Sequence, residues 1–256
     1  MKYSEPYSKM AIIYDLMHAD HHSLNMVDYT MKIISRFKIK AACCLDLCCG
    51  TGSALLEFHN KGYKVSGLDG SAAMLAVAAK KLKYEKVKLY QKTLPNFKLL
   101  STTSSTKTEQ FDFVTSFYDS LNYLKSETEL KQAFKSVANH LVKGGWFIFD
   151  MNTPVALKTI WGGQVYAGAQ DDLAWIWRNK SDSKTKTASV ETTCFYKEGN
   201  EWKRFDELHT ELSHSNTTLR KLLRETGFAV KAVYRCGTFA KADKDTTRVC
   251  FVAQKR

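Results

Sequence analysis

The chain has 256 residues, 44% hydrophobic and 12% aromatic, with 38 lysines and arginines against 26 acidic residues and a net charge of +12. That is enough to bury one large core and favours one elaborated folding unit over two equal domains. No start has the pattern of a signal peptide and no 18 apolar residues run together, which argues against secretion and membrane insertion and predicts a soluble, cytoplasmic protein.

In chain order, "YSKMAIIYDLMHAD" and "SLNMVDYTMKIISRF" place apolar residues at three- and four-residue intervals, predicting helices that cap the N-terminus. Strands and helices then alternate. "ACCLDL" reads as a buried strand, "SALLEFHNKG" as a helix ending at Gly62, "YKVSGLD" as a strand, and "SAAMLAVAAKKL" as a helix with Ser71 at its N-cap. "KVKLYQ" is a third strand, the polar "STTSSTKTEQ" a loop, and "FDFVTSF" a fourth strand. "SETELKQAFKSVANHLVKGG" is a helix closed by Gly144, and "WFIFDM" a fifth, wholly apolar strand. This alternation predicts a parallel sheet covered by helices on both faces.

After Pro154 the period changes to two. "LAWIWRN", "TASVETTCFYKEG" and "EWKRFDELHTEL" predict an antiparallel meander, followed by a helix, "TTLRKLLRETG", and two closing strands, "AVKAVYRC" and "TTRVCFVAQ".

Four of the seven cysteines (Cys43, Cys44, Cys48 and Cys49) crowd the first strand, where neighbours point to opposite faces and cannot converge on a metal. Free thiols and no metal are expected. The positive charge is concentrated in two places. Residues 80–98 hold seven lysines and one glutamate, and residues 220–256 hold ten basic and three acidic residues. Neither stretch interleaves aromatics as a nucleic-acid groove would, so both read as solvated surface.

The break at Gly50-Thr51-Gly52 falls where an open parallel sheet binds its ligand, beyond the carboxyl end of the first strand. A dinucleotide pattern asks for a third glycine, and Leu55 stands there instead. Asp69 ends the second strand 17 residues past Gly52, placed to accept hydrogen bonds from both hydroxyls of a ribose. A side chain at Gly52 is expected to meet the ligand before it meets the fold.

"LDLCCGTG", "GLDGSAAML", "FDFVTSFYDSLNYL" and "GGWFIFDMNTP", in this order and spacing, closely resemble the motifs of class I S-adenosylmethionine-dependent methyltransferases. The resemblance spans about residues 7–252 and is closest to the small-molecule branch that includes amino-sugar N-methyltransferases, which share a helical start like Tyr7 to Asp15. It implies an α/β fold: a seven-stranded Rossmann-like core with an N-terminal helical cap (1–40) and an antiparallel β insert. The cofactor-binding core would span 41–154, a meander over the active site 155–213, and the rest of the core 214–256, all in one methyltransferase domain.

S-adenosyl-L-methionine is the implied cofactor. The resemblance puts Asp46, Cys48, Gly50, Thr51 and Gly52 around its methionine end, with Phe117 also in contact. Asp69 falls on the ribose, and Gly70, Met74, Thr93 and Leu94 fall by the adenine. Cys48 stands in place of a small residue, and Thr93 where related enzymes offer an aspartate.

Methyl transfer needs alignment and dryness more than acid-base chemistry. An amine acceptor still has to lose a proton. Three residues are candidates for that work: Tyr14, in the helical start; Tyr123, beyond the fourth strand; and His209, on a strand whose face it shares with Phe205, Glu207 and Glu211. Two of them also have an ordinary structural reading, Tyr14 at a helix interface and His209 on a solvated face. Asp119 reads as a base or a helix cap, His21 and His22 as surface near the entrance, and His140 as a favourable charge at a helix C-terminus.

The expected activity is methyl transfer to a small molecule, most simply an amine, with the aromatic meander containing Trp175 and Trp177 closing over the acceptor. RNA or protein methylation and non-catalytic cofactor binding are the rivals. The missing "N/D-P-P-Y/F" element after the fourth strand, where "SFYDSL" stands, counts against nucleic acid.

Overall fold

The computed structural model describes residues 3–101 and 104–256. Helix α1 (His21–Arg36) precedes strand β1 (Cys43–Leu47), α2 (Ser53–Asn60), β2 (Lys64–Asp69), α3 (Ala72–Lys81) and β3 (Lys88–Gln91). A short hairpin of β4 (Leu100–Ser101) and β5 (Ser104–Thr108) leads to β6 (Phe111–Ser116), α4 (Glu127–His140) and β7 (Leu141–Asn152). Then come α5 (Pro154–Thr159), β8 (Val165–Gln170), β9 (Leu173–Asp182), β10 (Thr187–Glu198), β11 (Glu201–Leu212), α6 (Asn216–Glu225), β12 (Phe228–Arg235) and β13 (Arg248–Lys255).

Seven strands form one sheet in the order β12-β13-β7-β6-β1-β2-β3. The run from β7 to β3 is parallel, and β13 and β12 close the edge antiparallel. Strand alternation divides the core. Leu45, Leu47, Phe147, Phe149 and Phe251 pack with α4 and α6 on one face, while Cys44, Phe113, Ile148 and Val252 pack with α1 and α2 on the other. Phe149 and Phe251, cross-strand partners, stack with centroids 5.2 Å apart. Burying each such ring contributes about 1.5–3 kcal/mol. Side-chain N-caps at Ser71, Ser126, Thr153 and Ser215 satisfy helix-start N–H groups, each stabilising by about 1 kcal/mol.

β11, β10, β9 and β8 form a second, antiparallel sheet. It rests against the N-terminal segment through Met10, Ile13, Leu173, Cys194 and Phe205.

Four sequence expectations need correction. Residues 7–20 form a 3-10 turn (Met10–Ile12) and a series of turns instead of an α-helix. Tyr7 and His18 take left-handed φ values of 62° and 55°, which breaks the helix at both ends. The predicted loop over 101–110 contains most of the β4–β5 hairpin; Thr102 and Thr103 lie outside the described residues. The helix expected to run to Gly144 stops at His140, because Leu141 pairs with Phe111 and a bulge carries the chain into β7. α5 and β8 were not anticipated. β8 is exposed at nearly every position and shows no alternation.

His140 is no charged helix end. It is buried, with Nε2 accepting the Leu99 N–H at 2.9 Å and Nδ1 donating to the Ser136 carbonyl at 2.7 Å. That pattern needs a neutral ring, and burial lowers its pKa accordingly. All seven cysteines are free. Among the described residues no helix is long and apolar enough to cross a membrane.

Candidate active site

A cavity of about 840 Å3 opens at the carboxyl ends of β1, β2 and β6. Its floor is the turn after β1. There Cys48 and Gly50 take left-handed φ values of 56° and 54°, and Gly52 caps α2 at φ 79°. A non-glycine residue in that region carries roughly 1–2 kcal/mol of strain, so the turn is held by its surroundings. Asp69 supplies part of the hold: its Oδ2 accepts the Gly50 N–H and its Oδ1 the Ser71 N–H, both at 2.8 Å. Burial still raises its pKa, despite these donors and a third from Gly70.

The cavity is lined by Cys48, Gly50, Thr51, Asp69, Gly70, Met74, Thr93, Leu94 and Phe117, and also by Tyr14 and Tyr123. Three expected residues do not line it. Asp46 lies behind the wall, 3% exposed, accepting from Thr115 Oγ1 at 2.7 Å, and its pKa is pushed up to about 7 by burial and by the charge of Asp69. Gly52 faces α3, where a Cβ would stand 3.1 Å from Ala78 Cβ, so a side chain there collides with the fold and not with the cavity. The glycine whose Cβ would enter open space is Gly50. His209 stands one layer back, 3.0 Å from the Tyr123 hydroxyl through Nδ1. The Glu207, His209 and Glu211 face is therefore buried, not solvated.

The roof of the cavity also departs from expectation. Trp175 and Trp177 do not line it; the N-terminal segment does, through Glu5, Pro6, Tyr7, Ser8 and Tyr14. This strap is fastened on both sides. Ser4 N–H donates to the Asp206 carbonyl at 2.8 Å, and Ser71 Oγ donates to the Tyr7 carbonyl at 3.0 Å. Farther along, Thr51 Oγ1 donates to Asp15 and Ser53 Oγ to Asp20, both at 2.6 Å, and Lys81 reaches Asp15 at 2.8 Å. Lys81 is thus a clasp over the glycine turn, not one of the solvated lysines of residues 80–98.

Tyrosines crowd one end. Tyr7 Oη and Tyr123 Oη are 2.7 Å apart, and the Tyr7 ring meets Tyr14 edge-on at 6.3 Å. Burial raises the pKa of Tyr7, Tyr14 and Tyr123 well above that of a free phenol, so all three keep their protons at neutral pH. Tyr118 also lines the cavity, with its pKa pushed up to about 12 by burial and Asp119. Tyr7 and Tyr118 were missed as candidates. Tyr7 had a signal, since it opens the same motif as Tyr14.

Tyr118 and Asp119 both have φ 55° and are held by a buried network. Asp150 Oδ1 accepts the Tyr118 N–H at 2.8 Å, and Arg248 bridges Asp150 and Asp119. Asp119 is neither a free base nor a helix cap: Asn152 Nδ2 donates to it at 2.6 Å, and it forms no side-chain bond to the turn that follows. Arg248, read as part of a solvated basic segment, is the core of this network. Burial alone would raise the Asp150 pKa, but Arg248 and His22 outweigh it and hold the group below the usual carboxylate range. His22 stacks on Tyr118 at 4.8 Å and reaches Asp150 at 3.3 Å; His21 stacks on His18. Ligand atoms of His22, Asp150 and Cys236 lie within 4.8 Å of one another. Both Asp150 oxygens are already engaged by Tyr118, Arg248 and His22.

A seven-stranded sheet with this order, a glycine turn after its first strand and a carboxylate ending its second define a Rossmann-like α/β methyltransferase fold. A methyltransferase-domain family model matches residues 44–145. The crystal structure of an S-adenosylmethionine-dependent methyltransferase from Clostridium acetobutylicum is 28% identical, covers 97% of this chain and 98% of that one, and superposes with a TM-score of 0.84. A putative methyltransferase of a Geobacillus species is 29% identical over 82% of this chain and 83% of its own length. The dTDP-3-amino-3,4,6-trideoxy-alpha-D-glucopyranose N,N-dimethyltransferase of Streptomyces venezuelae is 31% identical over 54% of this chain and 58% of its own length. The chain is a class I S-adenosylmethionine-dependent methyltransferase, similar to the amino-sugar type.

The residues present fit that cofactor. Gly50 leaves open the space a Cβ would fill, and Asp69 lines the cavity beside it.

Proposed function

We propose that this enzyme methylates a small-molecule amine, such as the amino group of a sugar, as one cytoplasmic domain with both substrates in the strap-roofed cavity. The observation that carries the reading is that cavity: about 840 Å3, with Asp69 and the glycine turn at one end and tyrosines at the other. Such a volume suits a cofactor and a small acceptor, and a roof fastened on both sides disfavours a folded RNA. The dimethyltransferase activity named for the Streptomyces relative supports an amine on a sugar.

In this reading Asp69 accepts from the ribose, Gly70, Met74, Thr93 and Leu94 enclose the adenine, and Cys48, Gly50, Thr51 and Phe117 surround the methionine end, with Asp46 behind that wall and Gly52 shaping the turn from its far side. S-adenosylmethionine, when bound, supplies a methyl group activated on a sulfonium. The protein supplies alignment, exclusion of water and a path for one proton, because an amine attacks only through its free lone pair. Tyr123 passes its hydroxyl proton to Nδ1 of His209 and takes one from the acceptor nitrogen. Its high pKa makes it a relay and not a resting base. Tyr14 shapes the methyl channel.

The test is a panel of sugar amines and total cellular RNA, assayed for methyl transfer at near-physiological salt. Transfer to one or more amines is expected, with His209→Ala lowering kcat by about 100-fold or more. Asp69→Ala should weaken S-adenosylhomocysteine binding about 10- to 100-fold by calorimetry. Transfer to RNA with every amine refused overturns the reading.

A further inference from the structure

Glu207 has no measurable solvent exposure, and three backbone N–H donors and a histidine ring nitrogen converge on it. Its Oε1 accepts the N–H groups of Lys9 at 2.8 Å and Met10 at 3.0 Å; its Oε2 accepts the Tyr7 N–H at 2.7 Å. The same Oε2 lies 3.2 Å from Nε2 of His209, which has no other polar partner and sits off the line of an ideal hydrogen bond. Burial pushes the Glu207 pKa up, but His209 and the three N–H groups outweigh it and hold the group below the usual range, so it is a carboxylate.

A carboxylate has only acceptors to offer, so the ring nitrogen facing it is the one that carries the proton. In the neutral ring the other nitrogen, Nδ1, is then bare, and it is the atom 3.0 Å from the Tyr123 hydroxyl. Glu207 also fixes Tyr7, whose backbone it binds, whose hydroxyl meets that of Tyr123, and whose ring lies 4.9 Å from His209.

We propose that Glu207 is a positioning residue: one buried carboxylate keeps the His209 proton on Nε2, leaving Nδ1 free to receive a proton from Tyr123, and seats the strap that brings Tyr7 against the same hydroxyl. The assignment rests on the proton path proposed above, and it needs no acceptor to be tested.

The closing experiment is 15N spectroscopy of the histidine rings in the full chain at about pH 8.5, roughly two units above the ordinary imidazole value. His209→Ala identifies the His209 signals. Wild type should carry the His209 proton on Nε2, and Tyr123→Phe should leave it there. Glu207→Gln turns an amide toward the ring and should move the proton to Nδ1. In turnover with the fastest amine of the panel, the same variant should lose about 10- to 100-fold in kcat, with S-adenosylhomocysteine affinity changed less than about threefold. A wild-type ring protonated on Nδ1 or on both nitrogens overturns the proposal, as does a Tyr123→Phe variant that moves the proton. A Glu207→Gln variant that leaves the proton in place overturns it too. If the tautomers behave as stated while His209→Ala keeps full activity, the proton path falls and the Glu207 tautomer assignment stands.

Discussion

Leu55 fills a space that Gly67 leaves open: a Cβ on Gly67 would stand 2.4 Å from Leu55 Cδ1 and 2.8 Å from Cys49 Sγ. In dinucleotide folds the third glycine of the turn lets the helix approach the sheet. Here the helix carries the leucine and the neighbouring strand carries the glycine. The missing glycine at position 55 is therefore a redistribution of one close contact between α2 and β2, not a looser packing.

That exchange makes a packing prediction. Gly67→Ala should cost about 1–3 kcal/mol through overpacking, read as a lower urea midpoint. Leu55→Ala should cost less in the Gly67→Ala background than in wild type, because the two changes compete for one volume. Simple addition of the two losses would show that the clash is relieved elsewhere.

The two glycines of the turn should separate by experiment. Gly50→Ala projects into the cavity and should weaken S-adenosylhomocysteine binding at least tenfold in a folded protein. Gly52→Ala presses on Ala78 and Leu82 and should lower the urea midpoint first. Equal binding losses at equal stability would put both glycines on the cavity wall.

The order of strands and helices was legible because β1, β2, β6 and β7 are apolar runs punctuated by glycines, a local signal. Of the residues that line the cavity, Asp69 was expected from its place at the end of the second strand, and Gly70 and Met74 from the family resemblance. The strap was not. Residues 7–20 have helical spacing, but the N–H groups of Tyr7, Lys9 and Met10 are claimed by a carboxylate some 200 positions away, and no local pattern records such a partner. Tyr118 was invisible for the same reason: His22 and Arg248, from the two ends of the chain, flank its ring. Gly52 was misread because its place in the motif marks the turn and says nothing of the direction its Cβ would point.

Arg248 should be the costliest single truncation near the site. Arg248→Met leaves Asp119 and Asp150 in the interior without their counter-charge, and breaking a buried pair this way costs about 3–5 kcal/mol. Adding Asp119→Asn and Asp150→Asn should recover much of that loss in urea titrations. No recovery would mean that Arg248 acts by packing alone.

Asp46 links the cavity to pH. Its pKa is raised from the ordinary 3.8 to about 7 in the fold, so the folded state binds the extra proton. The resulting stability is fully present below the ordinary value and lost as pH rises through about 7. Asp46→Asn has no such proton to lose. The variant should lack this component of the pH dependence, so its stability relative to wild type should rise through that window and exceed that of wild type in mild alkali by a few kcal/mol at most. If the cofactor's ammonium group favours the ionised carboxylate, wild-type affinity for S-adenosylhomocysteine should rise by up to about tenfold per pH unit between 5 and 7 and then level off. The asparagine variant should bind weakly and without that slope. Urea titrations and calorimetry at about pH 5, 7 and 8.5 give both curves. Parallel pH slopes for the two proteins would remove Asp46 from the proton balance and leave it a buried partner of Thr115.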